Sequence, residues 1–193
     1  SAPSVATVNA AGVVTAVAPG VTRIVAEVGN RNASVDVRVV PQPQVLTIAS
    51  SGFSGSGTLT SAPAGINCTI SGQQATGACS FTFPGDQSVV ITATPASGSE
   101  LVGWAGDCSG TQGAACTVNM NAARNVGIVF RALRTLRLTG SGSGLGTINA
   151  DQGGILCVSQ GGTTTGTCSG TFVEGAVVTL SVTPAGQSIF RGW

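Results

Sequence analysis

The chain writes one pattern twice. With Cys68 set on Cys157, an offset of 89 residues, the register holds without a gap from Gly57/Gly146 to Trp104/Trp193. Gly65-Ile66 falls on Gly154-Ile155, Thr76-Gly77 on Thr165-Gly166, and Cys79-Ser80 on Cys168-Ser169. Phe83 falls on Phe172, Thr94-Pro95-Ala96 on Thr183-Pro184-Ala185, and Gly103-Trp104 on Gly192-Trp193. Composition alone does not produce such a register, so the chain holds two copies of one module. The first copy runs over residues 44–132. The second, 133–193, carries nothing equivalent to Ala105–Phe130.

The local pattern says what each unit is made of. In Thr22–Val28, Ile24, Ala26 and Val28 fall on one face and Arg23 and Glu27 on the other. In Val35–Val39 the three valines share a face and the charges point away. Period two with one apolar face describes antiparallel strands lying on a core. Asn9–Gly12, Ala18-Pro19-Gly20 and Gly29–Asn32 carry turn residues. Charged residues make up 8% of the chain, against about 25% in an ordinary soluble domain. Charge-laced helices are therefore out of reach. The expectation is all-β: a partial Ig-like β-sandwich in 1–40, then two disulfide-stapled β repeats. Val40-Pro41-Gln42-Pro43 favours an extended link, and 41–43 is taken as the linker.

Two resemblances sit on these residues. Val5-Ala6-Thr7-Val8-Asn9, Gly12–Val17, Pro19-Gly20 and Ile24-Val25-Ala26 resemble the second half of a bacterial Ig-like group 2 domain. Residues 44–131, and 133–193 in part, resemble the divergent InlB B-repeat, a bacterial repeat of secreted and cell-surface proteins. The Gly103-Trp104…Gly106-Asp107-Cys108…Cys116 stretch and the apolar hairpin after it carry that likeness best. It implies small, mostly β modules used in tandem, and it brings no catalytic residues.

The cysteines are Cys68, Cys79, Cys108, Cys116, Cys157 and Cys168. An even number in a secreted protein reads as three disulfides. The second copy holds Cys157 and Cys168 alone. If pairing stays inside modules these two pair, repeat equivalence gives Cys68–Cys79, and Cys108–Cys116 remains. No CxxC pair and no His are present, so no metal site is expected.

Chemistry is scarce. The chain has no His, Lys or Tyr and a net charge of +1. A Ser–His–Asp arrangement is impossible, and no side chain has an ordinary pKa near neutrality. The carboxylates Glu27, Asp36, Asp86, Glu100, Asp107, Asp151 and Glu174 are scattered over the modules. Gly140–Gly144 precedes a strand and lacks the Lys of a phosphate loop, so it reads as a hairpin turn. Asp107 fits a turn that caps its own backbone better than a calcium ligand. Trp104 and Trp193 fit core positions better than sugar-stacking platforms. Arg131, Arg134 and Arg137 read as solvent-facing positions on a connector and the strand after it. Asn32-Ala33-Ser34 and Asn67-Cys68-Thr69 match the glycosylation pattern, which in a bacterial protein is accidental.

The function expected is therefore non-catalytic: a structural segment of a secreted or surface protein, as stalk, matrix or filament component. Expected partners are neighbouring modules of a longer chain, copies of itself or other surface proteins. The rival is an adhesin or carbohydrate-binding module. No cofactor, nucleic acid or membrane span is expected. Both ends cut through a module, which should leave apolar faces such as Ile24, Val37 and Val39 open.

Overall fold

A computed structural model describes residues 2–52 and 54–193. Its elements are strands throughout: β1 (Ala6–Val8), β2 (Val14–Ala16), β3 (Gly20–Val28), β4 (Arg31–Val39), β5 (Gln44–Ser50), β6 (Ser56–Ala62), β7 (Asn67–Ser71), β8 (Gln74–Ala78) and β9 (Ser80–Phe83). There follow β10 (Ser88–Pro95), β11 (Ser99–Gly106), β12 (Ala115–Asn119), β13 (Arg124–Arg137), β14 (Leu145–Ala150), β15 (Leu156–Gln160), β16 (Thr163–Thr167), β17 (Ser169–Val173) and β18 (Leu180–Ala185). The fold is all-β, in tandem small modules, as the alternation requires.

The first complete module is a two-sheet sandwich. One sheet runs β12-β10-β6-β7-β8 and the other β11-β13-β5-β9. Their inner faces meet in one core of Leu46, Ile48, Leu59, Ile70, Phe83, Val89, Ile91, Val126, Ile128 and Phe130, among others. The pattern of β10 shows the cause. Val89, Ile91 and Ala93 are buried, while Ser88, Val90, Thr92 and Thr94 face out. Gly57 is required by this packing, because a methyl group there would lie 2.5 Å from the Phe130 ring.

The second copy repeats the first half of that sandwich. Its sheet β16-β15-β14-β18 matches β8-β7-β6-β10. The leading strand is the surprise. It is no separate element but the C-terminal part of β13, whose residues Leu133–Arg137 pair with β17 as β5 pairs with β9. By hydrogen bonding Leu138, one residue beyond the 89-residue register, takes the place of Ile48: both donate their backbone N–H to the carbonyl of the second cysteine, Cys79 or Cys168, at 2.8 Å. The boundary drawn at 132/133 lies inside one continuous strand.

Residues 2–39 form two hairpins, β1–β2 and β3–β4. The β3–β4 register sets Thr22 opposite Val37 and Ile24 opposite Val35. Thr22 is buried and its hydroxyl accepts the Ala2 N–H at 2.7 Å. Val28, expected on the inward face, is 81% exposed, because it lies at the hairpin tip opposite Arg31. Residues 41–42 pack on the turn after β9, where a side chain at Gly85 would strike Gln42 and Pro41.

Candidate functional site

The chain closes three disulfides. Cys68, second in β7, bonds Cys79, and Cys157 in β15 bonds Cys168; both pairs have Cα atoms 4.6 Å apart. Each bridge reaches to the residue just past the neighbouring strand. Gly77 and Gly166, opposite the first cysteine of each pair, make that possible with φ near 88° and 87°. A methyl group at either would lie 2.7 Å from a carbonyl oxygen across the ladder, of Asn67 or Leu156. Cys108–Cys116 ties the turn after β11 to β12. Loops of this size contribute roughly 2.5–3 kcal/mol each in the chain-entropy account.

Asp107 is a clamp between elements rather than a cap on its own turn. Its Oδ2 accepts the Asn125 backbone N–H at 2.6 Å and its Oδ1 accepts from Arg124 at 3.0 Å. The Asn125 N–H, followed by the Arg124 charge, holds its carboxyl below the usual range. Asp107 thus fastens the Cys108 turn to the start of β13. Both oxygens are spoken for, and one faces a guanidinium, which opposes a cation there. Among the described residues no group of three or more His, Cys, Asp or Glu is placed to hold a metal ion. Two other carboxylates also serve local structure. Asp36 pairs with Arg23 on the outer face of β3–β4, and Asp151 accepts the Thr179 N–H at 3.0 Å.

The two tryptophans part company. Trp104 is 7% exposed in the sandwich core, and its indole N–H donates to the Gly113 carbonyl at 2.9 Å. It offers no ring face to a sugar. Trp193 is 73% exposed and meets Phe190 edge-on, with ring centroids 5.2 Å apart.

The feature that sequence reasoning passed over is the junction. Along one edge of β13 the carbonyls of Ile128, Phe130 and Ala132 accept from Ser51, Gly55 and Glu174 in turn. The first two donors belong to the first module and the third to the second. On the opposite edge the Leu133 N–H donates to the Gly98 carbonyl at 2.8 Å. Ala132 and Leu133 are therefore held from both sides, and no residue between the modules is free to act as a hinge. Glu174 accepts from Arg134 at 2.8 Å, and its carbonyl accepts from the half-buried Arg131. These arginines are on a strand, not on a connector. A signal existed: Arg131–Thr139 contains no Gly, Pro, Asn, Asp or Ser, so nothing in it asks for a turn.

Comparison with family models gives a match to the divergent InlB B-repeat domain over residues 56–133 and again over 156–193, more than half of the chain. The chain belongs to that family. The match to both copies is the likeness read from the Trp-Cys pattern and the 89-residue register. Residues 1–55 lie outside it, so the Ig-like likeness of 1–40 rests on its own residues. No curated protein and no solved structure matches the chain. Among the described residues no helix is long and apolar enough to cross a membrane.

Proposed function

We propose that this InlB B-repeat chain is a non-catalytic structural segment of an extracellular or cell-surface bacterial protein, a stiff stalk or filament element. The observation that carries the reading is the shared strand β13, which joins two modules without a hinge. Inter-domain motion is the ordinary expectation for tandem domains, and a strand paired on both sides of the boundary opposes it. The three disulfides suit an oxidising compartment. The resolved carboxylate shifts, at Asp36 and Asp107, come from bonds that hold strands together rather than from a cleft that would tune an acid or base. Neighbouring modules of the same chain, copies of it or other surface proteins are its partners.

Residual dipolar couplings test this directly. Amides of 44–132 and of 133–185 should fit a single alignment tensor. Two independent tensors would mean that the junction bends, and the stalk reading would fall. Adhesion to glycan is the rival. Burial of Trp104 leaves it without a repeated platform, and a glycan-array signal lost in Trp193→Ala would revive it.

A further inference from the structure

The first and last strands of the complete module, β5 and β13, are neighbours and run parallel. Arg124 lies opposite Leu46, Val126 opposite Ile48 and Ile128 opposite Ser50. Residues 41–43 enter β5 at its start, and β13 leaves the module at its end, straight into the second copy. Tension along the chain therefore pulls β5 from one end and β13 from the other. Because the strands are parallel, that tension slides one along the other and loads every bond of the ladder at once. Strands pulled from the same end would instead peel, one bond at a time. Both strands are interior to the sheet, since β11 flanks β13 and β9 flanks β5. Ile48, Val126 and Ile128 also lock the pair into the core.

We propose that the β5–β13 pair is a mechanical clamp, and that the module bears tension transmitted along the chain. The proposal rests on the structural reading above but asks more of it: stiffness alone does not demand resistance to pulling. The disulfides lie off the load path. All four cysteines of the module fall between the two clamp strands in sequence, in loops whose ends are 11 and 8 residues apart. They do not strengthen the clamp. They shorten what is released once it fails.

The test is single-molecule pulling on the whole chain in two geometries. In one, handles sit at the two ends of the chain. In the other, one handle moves to a tag inserted at Ala122, in the exposed turn before β13, so that β5 and β13 are pulled from the same end. Forced rupture reads the unfolding barrier along the pulled direction. The force along the chain should exceed the peeling force by about twofold or more, because an evenly spaced parallel ladder shares the load. Thiol reductant should leave that force unchanged but lengthen the first module's release by about 60–70 Å, the reach of its two closed loops. Equal forces in the two geometries would overturn the clamp. So would a rupture force that falls on reduction. A chain with one alignment tensor that still yields at low force would defeat the clamp alone and leave the stalk reading standing.

Discussion

The two copies share sequence but not burial, and the difference shows which strand does what. Leu59 and Cys68 match Ile148 and Cys157, and all four are buried. Further along, the match fails. Ile91 and Ala93 are buried in β10, yet their counterparts Leu180 and Val182 are half-buried in β18. The strand itself shortens. β10 begins at Ser88, and Ser88 and Val89 pair with β12 alone, whereas β6 joins only from Val90. Among the described residues no strand lies beside β18 where β12 lies beside β10, and residues 177–179 are not strand. Likewise 188–193, which match the start of β11, are irregular, because β11 pairs with the first part of β13 and that part has no counterpart there. Local sequence proposes a strand, and a partner is needed to make one.

The largest effect should separate the tryptophans. Trp104→Ala should destabilise the first module by about 3–5 kcal/mol, since it empties a core site and orphans the Gly113 carbonyl. Trp193→Ala should change stability by less than about 0.5 kcal/mol. Chemical denaturation of both variants reads this, and equal losses would break the comparison.

Disulfide removal comes next. Replacing Cys157 and Cys168 by serine should cost about 2.5–3 kcal/mol. The second copy has four buried residues in its cluster, so it should unfold as a unit. The same change at Cys68 and Cys79 should leave the first module folded at a lower melting temperature, because its core holds many more. Circular dichroism and proteolysis of the two variants distinguish the outcomes.

Gly57→Ala should cost about 1–3 kcal/mol, because the new methyl meets the Phe130 ring. Gly146→Ala, whose nearest neighbour is the Thr183 carbonyl oxygen at 3.2 Å, should cost less. Urea midpoints of the two variants rank them. The reverse order would mean that Phe130 does not set the spacing of the sheets.

The smallest effect is acid dependence. Asp107 is held below the usual carboxylate value when folded, so its contribution is complete above pH of about 4 and fades as pH falls through the lowered value. The first module's melting temperature should therefore fall on acidification, and Asp107→Asn should flatten that slope. An unchanged slope would remove Asp107 as a clamp.

Much of this was legible. The repeat register located both copies, and equivalence between them narrowed the cysteine pairing to the one found. Alternation in β3 and β4 placed Ile24, Val37 and Val39 on the half-buried face, but Ala26, Val28 and Val35, on the same expected face, are exposed. What alternation cannot name is the partner. Arg131, Arg134 and Arg137 were read as lying on a connector and the strand after it, but nothing in that stretch says the strand began at Arg124 in another module. Asp107 was placed correctly in a turn, while its partners, Arg124 and Asn125, lie 17 and 18 residues away and only the fold brings them near.

Amide hydrogen exchange, residue by residue, on the oxidised chain tests the account most directly. It predicts deep protection in β5, β10 and β13 that reaches the junction at the Leu133 N–H, bonded to the Gly98 carbonyl. It also predicts weaker protection in β18 and rapid exchange over 188–193. Fast exchange at Leu133, or equal protection in the two copies, would contradict it.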